Sequence, residues 1–179
     1  MNHGRKIFYF SLLIIMSLVL ACNPSKKIHK SGNSSTVPAD AYKTYSKTFG
    51  VDFTGSEDKK LLDELSTWIG VPYVYGGESK TGTDCSGLVQ TVFKTVYNIS
   101  LYRTAFDLAK NCDSVNKKNL KSGDLVFFKI NSTKISHVGI YLASNKFIHA
   151  SSKGVMVSDL AEAYYTKYYY SAGRVKSLK

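Results

Sequence analysis

Apolar residues recur at helical spacing in two segments of the first half of the chain. In SEDKKLLDELSTWIG, residues 56–70, a serine and early acidic residues precede apolar positions three and four apart, as in a capped helix with one buried face. In the second segment, Asp84 is suited to cap a helix, so Cys85 lies in its first turn. The apolar stripe of that helix is Leu88, Val89, Val92, Phe93 and Val96.

From residue 123 the period of the apolar residues changes to two. Short alternating segments separated by Asn, Ser, Lys and Gly are typical of strands joined by turns. They are GDLVFFKI, HVGIYLA, KFIHAS, GVMVSD and YYYSAGRVK. The tyrosine-rich YYTKYYY is expected to cover both faces of a final strand. Helices followed by strands predict an α+β domain with an antiparallel sheet.

The chain begins with a segment typical of export rather than of a globular fold. Arg5 and Lys6 precede the apolar run IFYFSLLIIMSLVL, which is shorter than the roughly 20 residues of a transmembrane helix. It fits the hydrophobic region of a secretory signal. The run ends in LVLAC and resembles the lipobox of bacterial lipoproteins, so residues 1–21 would be removed and Cys22 would carry lipid. A plain signal peptide with an incidental cysteine is the alternative.

Residues 22–55 are predicted to be the lipidated cysteine and a flexible tether. The stretch NPSKKIHKSGNSSTVPADAYKTYSK is polar, rich in Ser, Lys and Asn, and lacks apolar periodicity. The globular domain is therefore expected over residues 56–179.

The composition and net charge of the chain indicate whether it can form a core and which kinds of partner it could bind. Hydrophobic residues make up 44% of 179, which permits a core and argues against global disorder. The net charge of +11 becomes +9 without residues 1–21, since 22 basic and 13 acidic residues remain. The basic residues form no arginine-rich stripe, so no nucleic-acid partner is expected. An anionic cell envelope suits this charge.

Cys85 is the residue whose predicted surroundings best fit chemistry. A helix start carries partial positive charge and unpaired N–H groups, which favour a thiolate and could hold an oxyanion. The charge of Asp84 opposes ionisation, so Asp84 is interpreted as a cap and substrate contact. A thiol hydrolase also needs a base. Apart from histidines of the signal and the tether, His137 and His149 are available, both in predicted strands.

Spacing alone leaves other roles open for these residues. Either histidine could be structural, and Cys85 could form a disulfide with Cys112, which is otherwise a bystander in a polar turn. A Cys-His-His zinc site is a further option, although the close ligand pairs usual for zinc are missing.

The register of the predicted hairpin raises a specific difficulty. A two-residue turn at Ser144-Asn145 would place His149 opposite Ile140, off the face of His137. A β-bulge or a distorted register is needed to bring the two rings together.

Four blocks in order, DCSGLVQ, SGDLVFF, SHVGIYL and FIHASS, resemble the NlpC family of papain-like cysteine peptidases of the bacterial cell wall. PYVYGG and YRTAFDLA also look like family blocks, and the resemblance covers roughly residues 57–175. It implies a compact papain-like core in which N-terminal helices pack on an antiparallel sheet.

The resemblance also implies the roles of particular residues. Cys85 matches the nucleophile, His137 the general base and His149 the residue that orients it. The cleft beside the nucleophile would be lined by Tyr75, Asp84 and Ser86. Arg103 could bind a substrate carboxylate or cap a helix end. Neither a metal nor a cofactor is expected.

The implied reaction is hydrolysis of the peptidoglycan stem peptide between D-γ-glutamate and a diamino acid such as meso-diaminopimelate. We expect a lipid-anchored monomer that faces the periplasm, held by the outer rather than the inner membrane. A thiol amidase or acyltransferase on the same fold is one alternative, and a non-catalytic wall-binding lipoprotein is another. Thr83 and Tyr102 stand where the family often has an aromatic residue and a proline, which leaves the pocket shape open.

Overall fold

The computed structural model describes residues 39–178 of the chain, so the predictions for residues 1–21 and for Cys22 fall outside the described residues. The helices are α1 Ala39–Phe49, α2 Lys59–Ser66, α3 Cys85–Tyr97, α4 Ala105–Leu108 and α5 Ala163–Tyr168. The strands are β1 Glu78–Ser79, β2 Gly82–Thr83, β3 Cys112–Ser114, β4 Leu125–Phe128, β5 His137–Tyr141, β6 Lys146–Ser151, β7 Gly154–Asp159 and β8 Tyr169–Val175.

The main sheet has six strands in the order β3-β8-β4-β5-β6-β7, and every neighbouring pair is antiparallel. Strands β1 and β2 form a separate small hairpin just before α3. Helix α3 packs against β5, β6 and α2. The α+β class with helices on an antiparallel sheet is therefore confirmed. Within residues 39–178 no helix has both the length and the apolarity needed to span a bilayer.

Helix α3 forms as its pattern predicts. Asp84 is extended at the N-cap and its side chain accepts a hydrogen bond from the Gly87 backbone. Asn98 ends the helix in the left-handed conformation. The buried residues of the stripe are Leu88, Val89, Val92 and Phe93. Because this face is held in the core, the position of Cys85 at the helix start is fixed by packing.

Helix α1 corrects the prediction of a flexible tether through residue 55. Tyr42, Tyr45 and Phe49 are buried in the core together with Val51. The Tyr42 hydroxyl donates to the Glu57 carbonyl at 2.7 Å, and the Tyr45 hydroxyl donates to Asp63. The sequence did not predict this helix, because two of its three buried residues are tyrosines and the residues around them are polar. The folded domain thus begins before residue 56.

Three smaller predictions are also corrected. Helix α2 is capped by Asp58, not by Ser56, because the Asp58 carboxylate accepts from the Lys60 backbone N–H at 2.9 Å. The tyrosine run is divided between α5 and β8. Cys112 lies in β3, paired with β8, instead of in a turn.

The β5–β6 hairpin contains the β-bulge that is needed to bring His137 and His149 together. Ser144 and Asn145 have positive φ angles of 48° and 65°, and the Lys146 N–H donates to the Ala143 carbonyl. The Leu142 N–H also donates to Lys146, so two residues face one. The register therefore shifts by one position, giving the pair Ile140–Ile148.

The shifted register places His149 opposite Gly139, on the same face of the sheet as His137. A Cβ at Gly139 would lie 2.6 Å from the Phe147 ring and 3.2 Å from the His149 Cβ. Glycine at this position therefore allows the two strands to bring the histidines together.

Candidate active site

The carboxylate of Asp84 organises the start of α3. It accepts hydrogen bonds from the Gly87 backbone at 2.7 Å and from the Gly76 backbone at 2.9 Å. Arg103 binds both of its oxygens, at 3.0 and 2.8 Å. Burial alone would raise the pKa of Asp84, but Arg103 and the two backbone N–H groups lower it below its usual range. Asp84 is therefore an ionised cap.

Arg103 contacts three side chains of the protein on this side of α3. Besides Asp84, its guanidinium donates to the Ser86 hydroxyl at 2.8 Å and pairs with Glu78 at 2.5 Å. The structure shows Arg103 bound to the helix-capping carboxylate of Asp84, which is neither of the two predicted roles, and binding of a substrate carboxylate stays a prediction. Its positive charge compensates the negative charge that Asp84 places beside Cys85.

Cys85 borders a cavity of about 410 Å³ at the start of α3. The predicted substrate-binding residues Tyr75, Asp84, Ser86 and Arg103 all line this cavity with Cys85. Tyr75 is 89% exposed, whereas Cys85 is only 9% exposed. Cys85 is thus nearly buried where it meets the cavity.

The protonation of Cys85 differs from the sequence-based expectation. Burial raises the pKa of the Cys85 thiol, and the charge of Asp84 raises it further. The backbone N–H groups of Val138, Ser86 and Cys85 itself act in the opposite direction but do not outweigh burial. Burial thus disfavours the thiolate that the helix start was expected to favour.

The structure brings His137 and His149 together. His137 Nε2 and His149 Nδ1 are 2.8 Å apart, with the ring planes at 89°. His149 is 1% exposed, and its Nε2 lies 3.1 Å from the Ser158 hydroxyl and 3.2 Å from the Tyr165 hydroxyl. Ser158 in turn donates to Tyr165 at 3.3 Å. A chain of hydrogen bonds therefore runs from β5 through β6 and β7 to α5.

This chain accommodates the tautomers that a general base at His137 requires. In that arrangement Ser158 directs its hydrogen to Tyr165 and accepts from His149 Nε2–H, which leaves His149 Nδ1 as an acceptor. His137 Nε2–H then donates to that nitrogen. His137 Nδ1 consequently carries a lone pair, as a general base requires.

Both histidines are neutral at physiological pH. Burial lowers the pKa of His137 to about 4. Burial and the neighbouring His137 lower the pKa of His149 to about 3. The thiol and the imidazole are therefore both uncharged before substrate binds.

Cys85 and His137 are neighbours without a direct hydrogen bond between them in the described part of the chain. The backbone N–H of Val138, the residue after His137 in β5, lies close enough to the Cys85 sulfur to lower the pKa of the thiol. Helix α3 and β5 thus hold the thiol one residue away from the base along the strand.

Sequence reasoning missed three residues of the site. Ser158 could have been suspected as a polar residue at an inward position of an alternating strand, and it is buried. Tyr165 carries no local signal, because its contact with His149 depends on how α5 packs. Tyr73 lines both the Cys85 cavity and a second cavity of about 680 Å³ beside the histidines.

The alternative roles of the cysteines and histidines can be compared with the geometry. Cys85 and Cys112 are free thiols. The Cys112 sulfur donates to the Leu108 carbonyl at 3.5 Å, and burial raises its pKa to about 12. Among residues 39–178, no group of three or more His, Cys, Asp and Glu side chains is arranged to hold a metal ion.

Known proteins resemble this chain over the whole of the folded domain. The family model described as NlpC/P60 matches residues 70–174. Murein DD-endopeptidase MepS/Murein LD-carboxypeptidase of Escherichia coli strain K12 is 35% identical, over 97% of this chain and 93% of that protein. Gamma-DL-glutamyl hydrolase of Bacillus subtilis strain 168 is 43% identical, over 60% of this chain and 27% of that protein.

A solved structure also matches the fold. The crystal structure of a protein of the NLP/P60 family, similar to lipoprotein, from Staphylococcus aureus has a TM-score of 0.62 and 36% identity, and covers 66% of this chain and 42% of its own. The family model matches more than half of the chain, and it includes Cys85, His137 and His149. The chain therefore belongs to the NlpC/P60 family of cell-wall cysteine peptidases.

Proposed function

We propose that this protein hydrolyses stem peptides of peptidoglycan, with Cys85 as nucleophile, His137 as general base and His149 as the residue that orients His137. The observation that supports the proposal is the chain of hydrogen bonds from His137 through His149 to Ser158, in a sheet whose Val138 N–H lies beside the Cys85 sulfur. The resemblance to proteins named as murein endopeptidases supplies the class of substrate.

The reaction proceeds by acyl transfer to water. As the sulfur attacks the carbonyl carbon, the thiol proton moves to His137 Nδ1, so no standing thiolate is needed. The tetrahedral intermediate breaks its C–N bond, and His137 gives the proton to the departing amine. His137 then takes a proton from water, whose oxygen attacks the thioester, and the sulfur leaves with that proton as the free acid is released.

The first backbone N–H groups of α3 are suited to hold the oxyanion. A helix start offers donors without intrahelical partners and a favourable dipole. The Gly87 N–H is taken by Asp84, so the N–H groups of Cys85 and Ser86 remain nearest to the sulfur. Their direction is fixed before substrate binds, because Asp84 caps the helix.

The bond between D-γ-glutamate and a diamino acid is the first candidate for cleavage. It joins a D centre to an L centre, and similarity to a protein named as a γ-DL-glutamyl hydrolase supports it. A bond between two D centres is the second candidate, because the relative matched over 97% of this chain is named as a DD-endopeptidase.

Purified stem peptides and digested muropeptides provide the test. Cys85→Ala and His137→Ala should each abolish turnover, whereas Cys112→Ala should retain it. Mass spectrometry of the products identifies the bond and separates an endopeptidase from an amidase or acyltransferase. Wild-type turnover by Cys85→Ala would refute the mechanism, and a folded wild-type protein that binds muropeptides without cleaving them would favour a wall-binding role.

We also propose that the protein is a monomeric lipoprotein of the outer membrane, facing the periplasm. The support is the LVLAC sequence and the basic and apolar residues before it. Cys22→Ser should release the protein from the membrane fraction of fractionated cells. Retention of this variant in that fraction would count against lipidation at Cys22.

A further inference from the structure

Tyrosines and lysines lie together where β4 ends and β8 begins. They belong to the β4–β5 connection, residues 129–136, and to the segment from α5 into β8, residues 164–170. The Lys129 backbone N–H donates to the Tyr168 carbonyl at 2.9 Å, and the Tyr168 hydroxyl donates to Asn131 at 3.1 Å. These bonds join the two segments, which we call the tyrosine–lysine surface.

The lysines of this surface stack on its tyrosines and have no acidic partner. Lys129 Nζ lies 3.8 Å from the centroid of the Tyr170 ring, and Lys167 Nζ lies 5.1 Å from that of Tyr168. Neither segment contains an aspartate or a glutamate. Within residues 39–178, neither lysine forms an ion pair. The surface therefore keeps its positive charge, and Tyr170 remains 53% exposed beside Lys129.

The tyrosine–lysine surface borders both cavities of the candidate site. Ile130 and Tyr164 line the cavity beside the histidines, and Ile135 and Ser136 line the cavity beside Cys85. A polymer whose scissile bond lies at Cys85 therefore passes close to this surface as it leaves the cleft. A lipid bilayer fits less well, because a bilayer seated on this surface would lie against the cavities.

We propose that the tyrosine–lysine surface binds the peptidoglycan polymer beside the bond that is cleaved, so that the protein prefers intact wall to released fragments. Tyrosine rings offer flat apolar faces for sugar rings, and lysines bind the carboxylates of neighbouring stem peptides. The inference rests on the proposed function and adds the form of the substrate. A second contact on the same polymer raises the effective concentration of bonds at Cys85, whereas a soluble stem peptide without glycan offers no such contact.

Binding is measured with Cys85→Ala, which lacks the proposed nucleophile, by sedimentation with purified sacculi. Adding Lys129→Gln and Lys167→Gln should weaken this binding about tenfold at low salt, the effect of two exposed charge contacts. Lys47→Gln with Lys60→Gln is the matched control, because both residues are exposed, on α1 and α2, and the same charge is removed. The control should bind as well as Cys85→Ala alone.

Turnover is compared on sacculi and on a soluble stem peptide, with Cys85 intact. Lys129→Gln with Lys167→Gln should lower the rate on sacculi about tenfold and leave kcat/KM for the soluble peptide unchanged. Tyr170→Thr should act in the same way, because it removes the exposed ring but keeps a residue favoured in strands. Added salt should lower the wild-type rate on sacculi towards that of the lysine variant.

All proteins are made as residues 22–179 without lipid, so that an anchor does not mask binding. Equal loss on both substrates, or no loss on sacculi, overturns the inference while the proposed function stands. Binding of Cys85→Ala to phosphatidylglycerol vesicles but not to sacculi also overturns it. If the wild type cleaves neither substrate, the proposed function fails, and sedimentation with sacculi still decides whether the surface binds the wall.

Discussion

At the scale of single residues, the reactivity of Cys85 depends on a competition between burial and the helix start. The sulfur receives N–H groups from Val138 and Ser86, which favour the thiolate. Burial favours the neutral thiol and outweighs them. In the proposed mechanism the nucleophile is therefore formed during attack, by transfer of its proton to His137.

Alkylation measures this balance directly. With iodoacetamide at pH 7, the peptide containing Cys85 should be modified no faster than an ordinary thiol, and its rate should keep rising above pH 9, because its pKa is raised from 9.0. The peptide containing Cys112, with a pKa of about 12, serves as a slower internal reference. Mass spectrometry of the digested protein gives both rates. A rate that is high at pH 6 and already constant there would show a standing thiolate instead.

In the proposed mechanism, Ser158 and Tyr165 hold the base in position through their contacts with His149. Ser158→Ala removes the acceptor of His149 Nε2–H, so we expect kcat to fall by about tenfold with little change in KM. Tyr165→Phe should have a smaller effect, because Ser158 remains. Ser158→Thr keeps the hydroxyl and should restore part of kcat.

Nitrogen NMR separates this role from a merely structural one. The wild type should show His149 protonated at Nε2, and Ser158→Ala should show a mixture of tautomers. If Ser158→Ala lowered stability and kcat but left the tautomer unchanged, the positioning role would be wrong.

At the scale of elements, α1 packs into the core through aromatic residues, although its sequence did not predict a helix. Phe49→Ala should lower the free energy of unfolding by about 3 kcal/mol, because a buried ring is lost from the core. Thr48→Ala is the matched control on the exposed face of α1 and should change it by less than about 0.5 kcal/mol. Urea unfolding measures both. Equal stability of the two variants would mean that α1 does not contribute to the core.

In the β5–β6 hairpin, the strands were predicted at the right residues, but this did not decide whether His137 and His149 lie on the same face of the sheet. Its two strands begin within one residue of the predicted segments. The bulge near Lys146 nevertheless decides whether His149 shares a face with His137. Hydrophobic alternation identified the strands, but it does not specify the number of residues that a turn adds to one of them.

At the scale of the whole molecule, the buried histidines make stability depend on pH. Their folded pKa values of about 4 and about 3 lie below the ordinary value of 6.5. Between pH 6.5 and pH 4 the unfolded chain therefore binds more protons, so the free energy of unfolding should fall as pH falls, by an amount on the order of 1–3 kcal/mol. Urea unfolding across this range measures the slope.

The contribution of one histidine can be isolated by substitution. His137→Gln removes one of the groups that must charge on unfolding, so the slope of stability against pH should become shallower in this variant. An equal slope in the wild type and in His137→Gln would show that His137 does not titrate differently in the two states.

The sequence by itself determined the classes of structure and the candidates for chemistry. Periodicity, caps and turn residues act over a few positions, and they were sufficient to place α3, five of the six strands of the main sheet, and Cys85 at a capped helix start. The ordered blocks were sufficient to indicate the family, which the comparisons confirm.

Only the tertiary structure decided how those candidates work together. It set the protonation of Cys85, the meeting of His137 with His149, and the contacts that Ser158 and Tyr165 make. Each of these depends on burial and on register between segments distant in sequence. Burial and register are set by how the segments pack together, whereas a local sequence pattern indicates only which face of each segment is buried.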